Sequence, residues 1–141
     1  MQSKKFGNTY FVRLDKGEEI VACLKKFCEN EKIKLGHVQG IGASSRVVLK
    51  FFDQKTKKYH SREFTGEYEI APLAGNITTK DNKIWLHLHI NISSKDFKAY
   101  AGHLEAAIVG PTFECIIEKM NGNVGRRFDK ASGLNLWDLE K

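Results

Sequence analysis

The sequence predicts an α+β domain, a mostly antiparallel sheet with one clear amphipathic helix near the N-terminus. Ile20, Val21, Leu24, Phe27 and Cys28 recur at i, i+1, i+4, i+7 and i+8, which is one helical stripe. After that stripe the apolar period changes to two, the spacing of strands. No repeat, linker or composition break divides the chain, so residues 1–141 read as one domain, long enough to bury a core. An apolar fraction of 41% with only 2 prolines excludes a disordered chain.

Taken in order, Thr9 to Leu14 is a short strand. The helix, about residues 17 to 30, opens with Asp15 followed three residues later by Glu18, the carboxylate version of a capping box. Lys25, Glu29 and Lys32 fall on its wet side. "GHVQGIGASS" then holds Gly36, Gly40 and Gly42 ahead of a strand from Arg46 to Phe52. A turn over "DQKTKK" leads to a strand from Tyr59 to Phe64, which predicts a hairpin. "GEYEIAPLAGNITT" is another extended stretch, and "TKDNK" a turn. "IWLHLHINIS" follows, then the loop "SSKDFK", then an extended segment with Phe113, Cys115 and Ile117 on one face. The tail ends in an apolar anchor, Leu134, Leu136, Trp137 and Leu139.

The net charge is +6, but the 23 basic residues are scattered among 17 acidic ones. "SKK" and "KTKK" are too short for a nucleic-acid arm, so these lysines read as a solvated surface. Cys23, Cys28 and Cys115 show no CxxC spacing, and Cys23 and Cys28 fall on different sides of the helix. The opening residues carry no apolar signal region, and no run approaches the ~18 apolar residues of a membrane span. The expectation is a cytoplasmic protein with reduced thiols and no membrane partner.

"GIGASS" matches the start of a dinucleotide fingerprint, which also needs a third glycine and an immediate helix. A β-branched run, "RVVLKFF", follows instead, so the glycines read as a bulge or a close backbone approach. Ser44 and Ser45 lack the elbow of a nucleophilic serine. The histidines carry more. In a strand, Trp85, His87, His89 and Asn91 share one face, opposite an aliphatic face of Ile84, Leu86, Leu88, Ile90 and Ile92. A short loop at Lys95–Phe97 sets Ser94 opposite Lys98 and His89 opposite His103. The same register sets His87 opposite Glu105. Three imidazoles and a carboxylate then converge, a donor set that suits zinc with one position kept for water. A one-residue slip would turn His103 away. The competing reading is a polar patch at an interface or cavity, with imidazoles hydrogen-bonded to one another. His37 and His60 stand apart, beside a glycine bend and on a hairpin, and Cys115 reads as a core thiol.

A set of short motifs in fixed order carries a family resemblance. They are "VRLDKGEEI" (Val12–Ile20), "GIGA" (Gly40–Ala43), "GEYEI" (Gly66–Ile70), "HLHI" (His87–Ile90), "GHL" (Gly102–Leu104) and "GLNLWDL" (Gly133–Leu139). Over nearly its whole length the chain resembles the PPC domain, the plants and prokaryotes conserved domain, in its stand-alone prokaryotic form. The resemblance implies an α+β fold with an antiparallel sheet and a homotrimer. It also implies metal binding through the HxH pair and the GH histidine, here His87, His89 and His103. In plants the domain is joined to AT-hook segments that bind AT-rich DNA. No "RGRP" core occurs here, and "GRRF" (Gly125–Phe128) sits between elements rather than on a tail, which puts inherited minor-groove binding in doubt.

Three functions follow as expectations. The first is a trimeric protein binding zinc or another divalent metal through His87, His89 and His103, with catalysis open and Glu105 as the candidate general base. The second is a DNA-associated regulator. The third is an assembly module with a small-molecule pocket between subunits.

Overall fold

Alternation at period two builds strands longer than the turn signals suggest. The computed structural model describes residues 1–140. Its elements are β1 (Gln2–Phe6), β2 (Thr9–Asp15), α1 (Ile20–Asn30), β3 (Gly36–Asp53), β4 (Lys58–Lys80), β5 (Lys83–Ser93), β6 (Ala99–Lys119), β7 (Gly125–Asp129) and β8 (Leu134–Asp138). The expected strands at Tyr59–Phe64 and across "GEYEIAPLAGNITT" are one continuous β4. The expected strand at Arg46 is the second half of β3.

Six strands form an antiparallel sheet in the order β1-β2-β6-β3-β4-β5. Because β5 also pairs with β6, the strands β6-β3-β4-β5 close into a ring. The interior is apolar: Leu14, Val38, Leu73, Ile77, Leu88, Ile90, Leu104, Phe113 and Ile117 are buried. Residues 88, 90 and 92 of β5 are the buried set, as the alternation predicts. Cys28 and Cys115 lie in this core, where burial pushes both thiols up to about 12.

The helix covers the core with Ile20, Leu24, Phe27 and Cys28, and Phe27 meets Tyr10 edge-on at 5.5 Å. Its start differs from the expectation. Gly17 takes a positive φ of 87°, and Glu18 Oε2 folds back to accept from the Asp15 amide at 2.7 Å. The cap is therefore Glu19, whose carboxylate accepts from the amides of Val21 and Ala22. It also accepts from the Ala107 amide at 3.0 Å, which ties the helix to β6.

The glycines of β3 act as the sequence reading expects. Register shifts fall between Gly40 and Gly42 in the pairing with β4. A Cβ at Gly40 would lie 2.6 Å from both Cys115 Cβ and Phe113 Cζ, so only glycine lets β3 approach β6 there. Ser44 is buried, and its hydroxyl donates to the Ile108 carbonyl at 2.6 Å as a tie between β3 and β6.

Candidate metal centre

Two turns position the histidines. Between β4 and β5, Asp81 and Asn82 both take positive φ, 51° and 61°, the signature of a two-residue hairpin turn. That turn pairs Lys80 with Lys83, and so sets Asn76 opposite His87 and Ala74 opposite His89. Between β5 and β6 the Ser94 amide donates to the Lys98 carbonyl at 3.0 Å, and Phe97 turns the chain at φ 58°. This is the register expected from the sequence, and His89 lies opposite His103.

The expected pairing of His87 with Glu105 does not form. The β5–β6 ladder ends at His89–His103, and β6 continues along β3, with Lys50 opposite His103. A bulge between Val48 and Leu49 leaves Glu105 without an opposite residue, and its carboxylate is ion-paired with Lys50. His87 reaches the cluster from beside Asn76 instead.

The three rings nevertheless converge. Ring centroids are 5.1 Å apart for His87–His89, 5.3 Å for His87–His103 and 5.6 Å for His89–His103. One ligand nitrogen from each lies within 4.8 Å of the others. A tetrahedral ion with bonds of about 2.0–2.1 Å needs nitrogens roughly 3.4 Å apart, so small inward rotations close the set. Among the described residues none of the three rings makes a side-chain hydrogen bond, so the competing reading of mutually bonded imidazoles has no bond to rest on. Burial, then the positive fields of His103, His89 and Arg126, lowers the His87 pKa to about 4. His103 is lowered by burial and by His89 and Lys50, with Glu105 opposing. Neutral imidazoles with free lone pairs are the form that binds a metal, so the donor set fits one. His37 Nδ1 lies 3.6 Å from Glu118 and His60 Nε2 lies 3.6 Å from Asp53, both outside the cluster.

One wall of the site escaped the sequence reading. "GRRF" is strand β7, paired with β8 in a C-terminal hairpin, rather than a link between elements. Arg126 reaches from β7 to β4, the strand that pairs with the histidine strand. Its Nε donates to Thr78 Oγ1 (2.8 Å), Nη1 to the Asn135 carbonyl (2.9 Å) and Nη2 to Asn76 Oδ1 (2.8 Å). A pocket of about 700 Å³ opens between the hairpin and the sheet, lined by His87, His103, Trp85, Tyr59, Arg126 and Trp137 among others. The signal available in the sequence was two five-residue runs, Gly125–Asp129 and Leu134–Asp138, with Arg126 opposite Trp137, too brief to stand out from an apolar tail.

A model of the Plants and Prokaryotes Conserved (PCC) domain matches residues 1–121. The crystal structure of a "putative dna binding protein" from Bacteroides thetaiotaomicron is 38% identical with a TM-score of 0.97, over 99% of this chain and 98% of that one. A metal-containing protein of Archaeoglobus fulgidus is 33% identical with a TM-score of 0.86, over 94% of each chain. A plant- and prokaryote-conserved (PPC) protein of Pyrococcus horikoshii is 30% identical with a TM-score of 0.86, over 96% of this chain and 94% of that one. No curated protein matches. The family model spans most of the chain, relatives of 30–38% identity cover nearly all of it, and the chain belongs to the Plants and Prokaryotes Conserved (PCC) domain family.

Proposed function

We propose that this chain is a homotrimeric metal-binding protein, one domain over residues 1–141, in which His87, His89 and His103 hold zinc or another divalent ion. The observation that carries the reading is the convergence of three imidazoles that make no side-chain hydrogen bond among the described residues. The metal-containing relative from Archaeoglobus supports it. A zinc ion in such a set supplies a Lewis-acid position and lowers the pKa of a bound water. Glu105, whose charge acts on His103, would be the general base if the site turns over a substrate.

A band of exposed apolar side chains supports self-association. Phe11 and Ile41 are 49% and 62% exposed, Ile116 lies opposite Phe11, and Phe6 stacks edge-on against Phe11 at 5.7 Å. Sedimentation equilibrium reads the assembly directly, and a monomer at micromolar concentration would reject it.

Metal content of the tag-free protein, as purified and after zinc addition and dialysis, tests the site. We expect near one ion per chain, lost in His89→Ala and kept in His60→Ala. No ion under either condition rejects the reading. DNA association is a second reading, favoured by the net charge of +6 and by the description of the Bacteroides relative. It predicts binding to mixed DNA that weakens steeply with salt as counterions are released.

A further inference from the structure

We propose that the pocket between His87, His103 and the C-terminal hairpin binds a small organic carboxylate, with Arg126 taking the carboxylate group and the aromatic walls its apolar body. The inference rests on the metal reading only for the charge it adds; the pocket and Arg126 stand without it.

The charge of Arg126 is the first ground. Its three protein partners, Thr78, Asn76 and Asn135, are all neutral acceptors, and among the described residues no carboxylate pairs with it. A guanidinium has five N–H groups, so these bonds leave two unused, one on each terminal nitrogen by count. The side chain is half-buried, and burial lowers its pKa, so the cation stands partly desolvated without a counter-charge. The Lys50 charge is already matched by Glu105, and no carboxylate side chain lines the cavity. A divalent ion on neutral histidines would add to the imbalance. A carboxylate corrects it, and the guanidinium geometry suits that group.

The walls are the second ground. About 700 Å³ is the size of an organic-ligand site and far more than an inorganic anion fills. Trp85, Tyr59, Leu134 and Trp137 supply flat and apolar surface. Arg126 already lies over Trp85 at 5.8 Å, so the ring and the cation share one end of the pocket. The hairpin wall lies beyond the residues 1–121 that match the family.

The chain's two tryptophans, Trp85 and Trp137, both line this pocket, which gives a readout independent of any activity. Benzoate, phenylacetate and hexanoate would be titrated to ~10 mM against metal-free and zinc-loaded protein, following tryptophan emission, with benzamide and inorganic phosphate as comparators. We expect at least one carboxylate to bind, more tightly with zinc present, and benzamide and phosphate to bind far more weakly. Arg126→Gln should weaken carboxylate binding roughly tenfold or more while leaving zinc stoichiometry unchanged. Arg126→Lys keeps the charge and should retain weakened binding; it carries the test if the Gln variant loses its hairpin, as judged by ligand-free emission and melting. Carboxylate binding that depends on Arg126 in a protein that holds no zinc would sustain this inference and reject the metal reading. Zinc-loaded protein blind to all three carboxylates, equal binding of benzamide or phosphate, or indifference to Arg126 would overturn it.

Discussion

Replacing Gly75 by alanine tests how closely the histidine strand is held. Gly75 lies opposite Leu88, between the Asn76–His87 and Ala74–His89 pairs. A Cβ there would run into the His87 carbonyl oxygen, and would lie 2.7 Å from Leu88 Cδ2 and 2.9 Å from Leu88 Cα. The Leu88 side chain can rotate, but the backbone atoms retreat only if β5 moves away from β4. Alanine in place of glycine in a strand otherwise gains about 0.5–1 kcal/mol. Overpacking costs about 1–3 kcal/mol, and two backbone atoms in the way place this site at the upper end. The net expectation is a loss of about 2 kcal/mol, or a fall of roughly 4–8 °C in Tm for a chain of this size. Zinc affinity should fall as well, because the displaced segment carries both His87 and His89. Gly125→Ala is the control: nothing lies within 4 Å of its Cβ and its φ is not positive, so stability should hold or rise slightly. Urea unfolding of the metal-free proteins reads the difference at constant m. A Gly75→Ala protein within ~0.5 kcal/mol of wild type, or a Gly125→Ala protein damaged as much, would refute the reasoning.

Two further outcomes are expected. In the folded chain His87 titrates at about 4 against 6.5 when free, so below pH 6.5 the unfolded chain gains a proton that the folded one refuses. Metal-free stability should therefore drop as pH falls from 6.5 towards 4 and level off below; the half-exposed ring limits the loss to on the order of 1–2 kcal/mol. Urea midpoints in chelator at pH 7.5 and 5 check this, and a His87→Asn protein that keeps the full slope would contradict it. Glu19→Ala removes the helix cap and leaves the Ala107 amide without its acceptor, so a loss of about 1–2 kcal/mol should appear in the same assay, with Glu18→Ala costing less.

The sequence made the site legible where local chemistry decides geometry. A short loop at Lys95–Phe97 fixes one register only, and that register brings His89 to His103. The apolar alternation of β5 correctly assigned its buried face. Glu105 was misplaced because its position depends on where β6 leaves β5 for β3, and on a bulge opposite Val48 and Leu49. Both follow from closure of the whole sheet, which no neighbouring residue encodes. The helix start moved because the Asp15 and Glu18 signature also describes a turn, and Gly17 at positive φ chooses that turn. Arg126 went unseen as part of the site because its partners, Asn76 and Thr78, lie some fifty residues away in the chain.

The seam that closes the ring is also the place where the imidazoles meet. The β5–β6 ladder holds five residue pairs, from Ser93–Ala99 to His89–His103, while β3 runs beside β6 from Gly36 to Lys50. Fraying of the ring is therefore easiest at that short seam, and its last rung is two of the proposed ligands, His89 and His103, facing each other. An ion gripping both would act as a clasp on the barrel, so that release of the ion and opening of the seam become one event. Amide exchange in residues 89–93 would then report occupancy of a site whose own atoms carry no spectroscopic label.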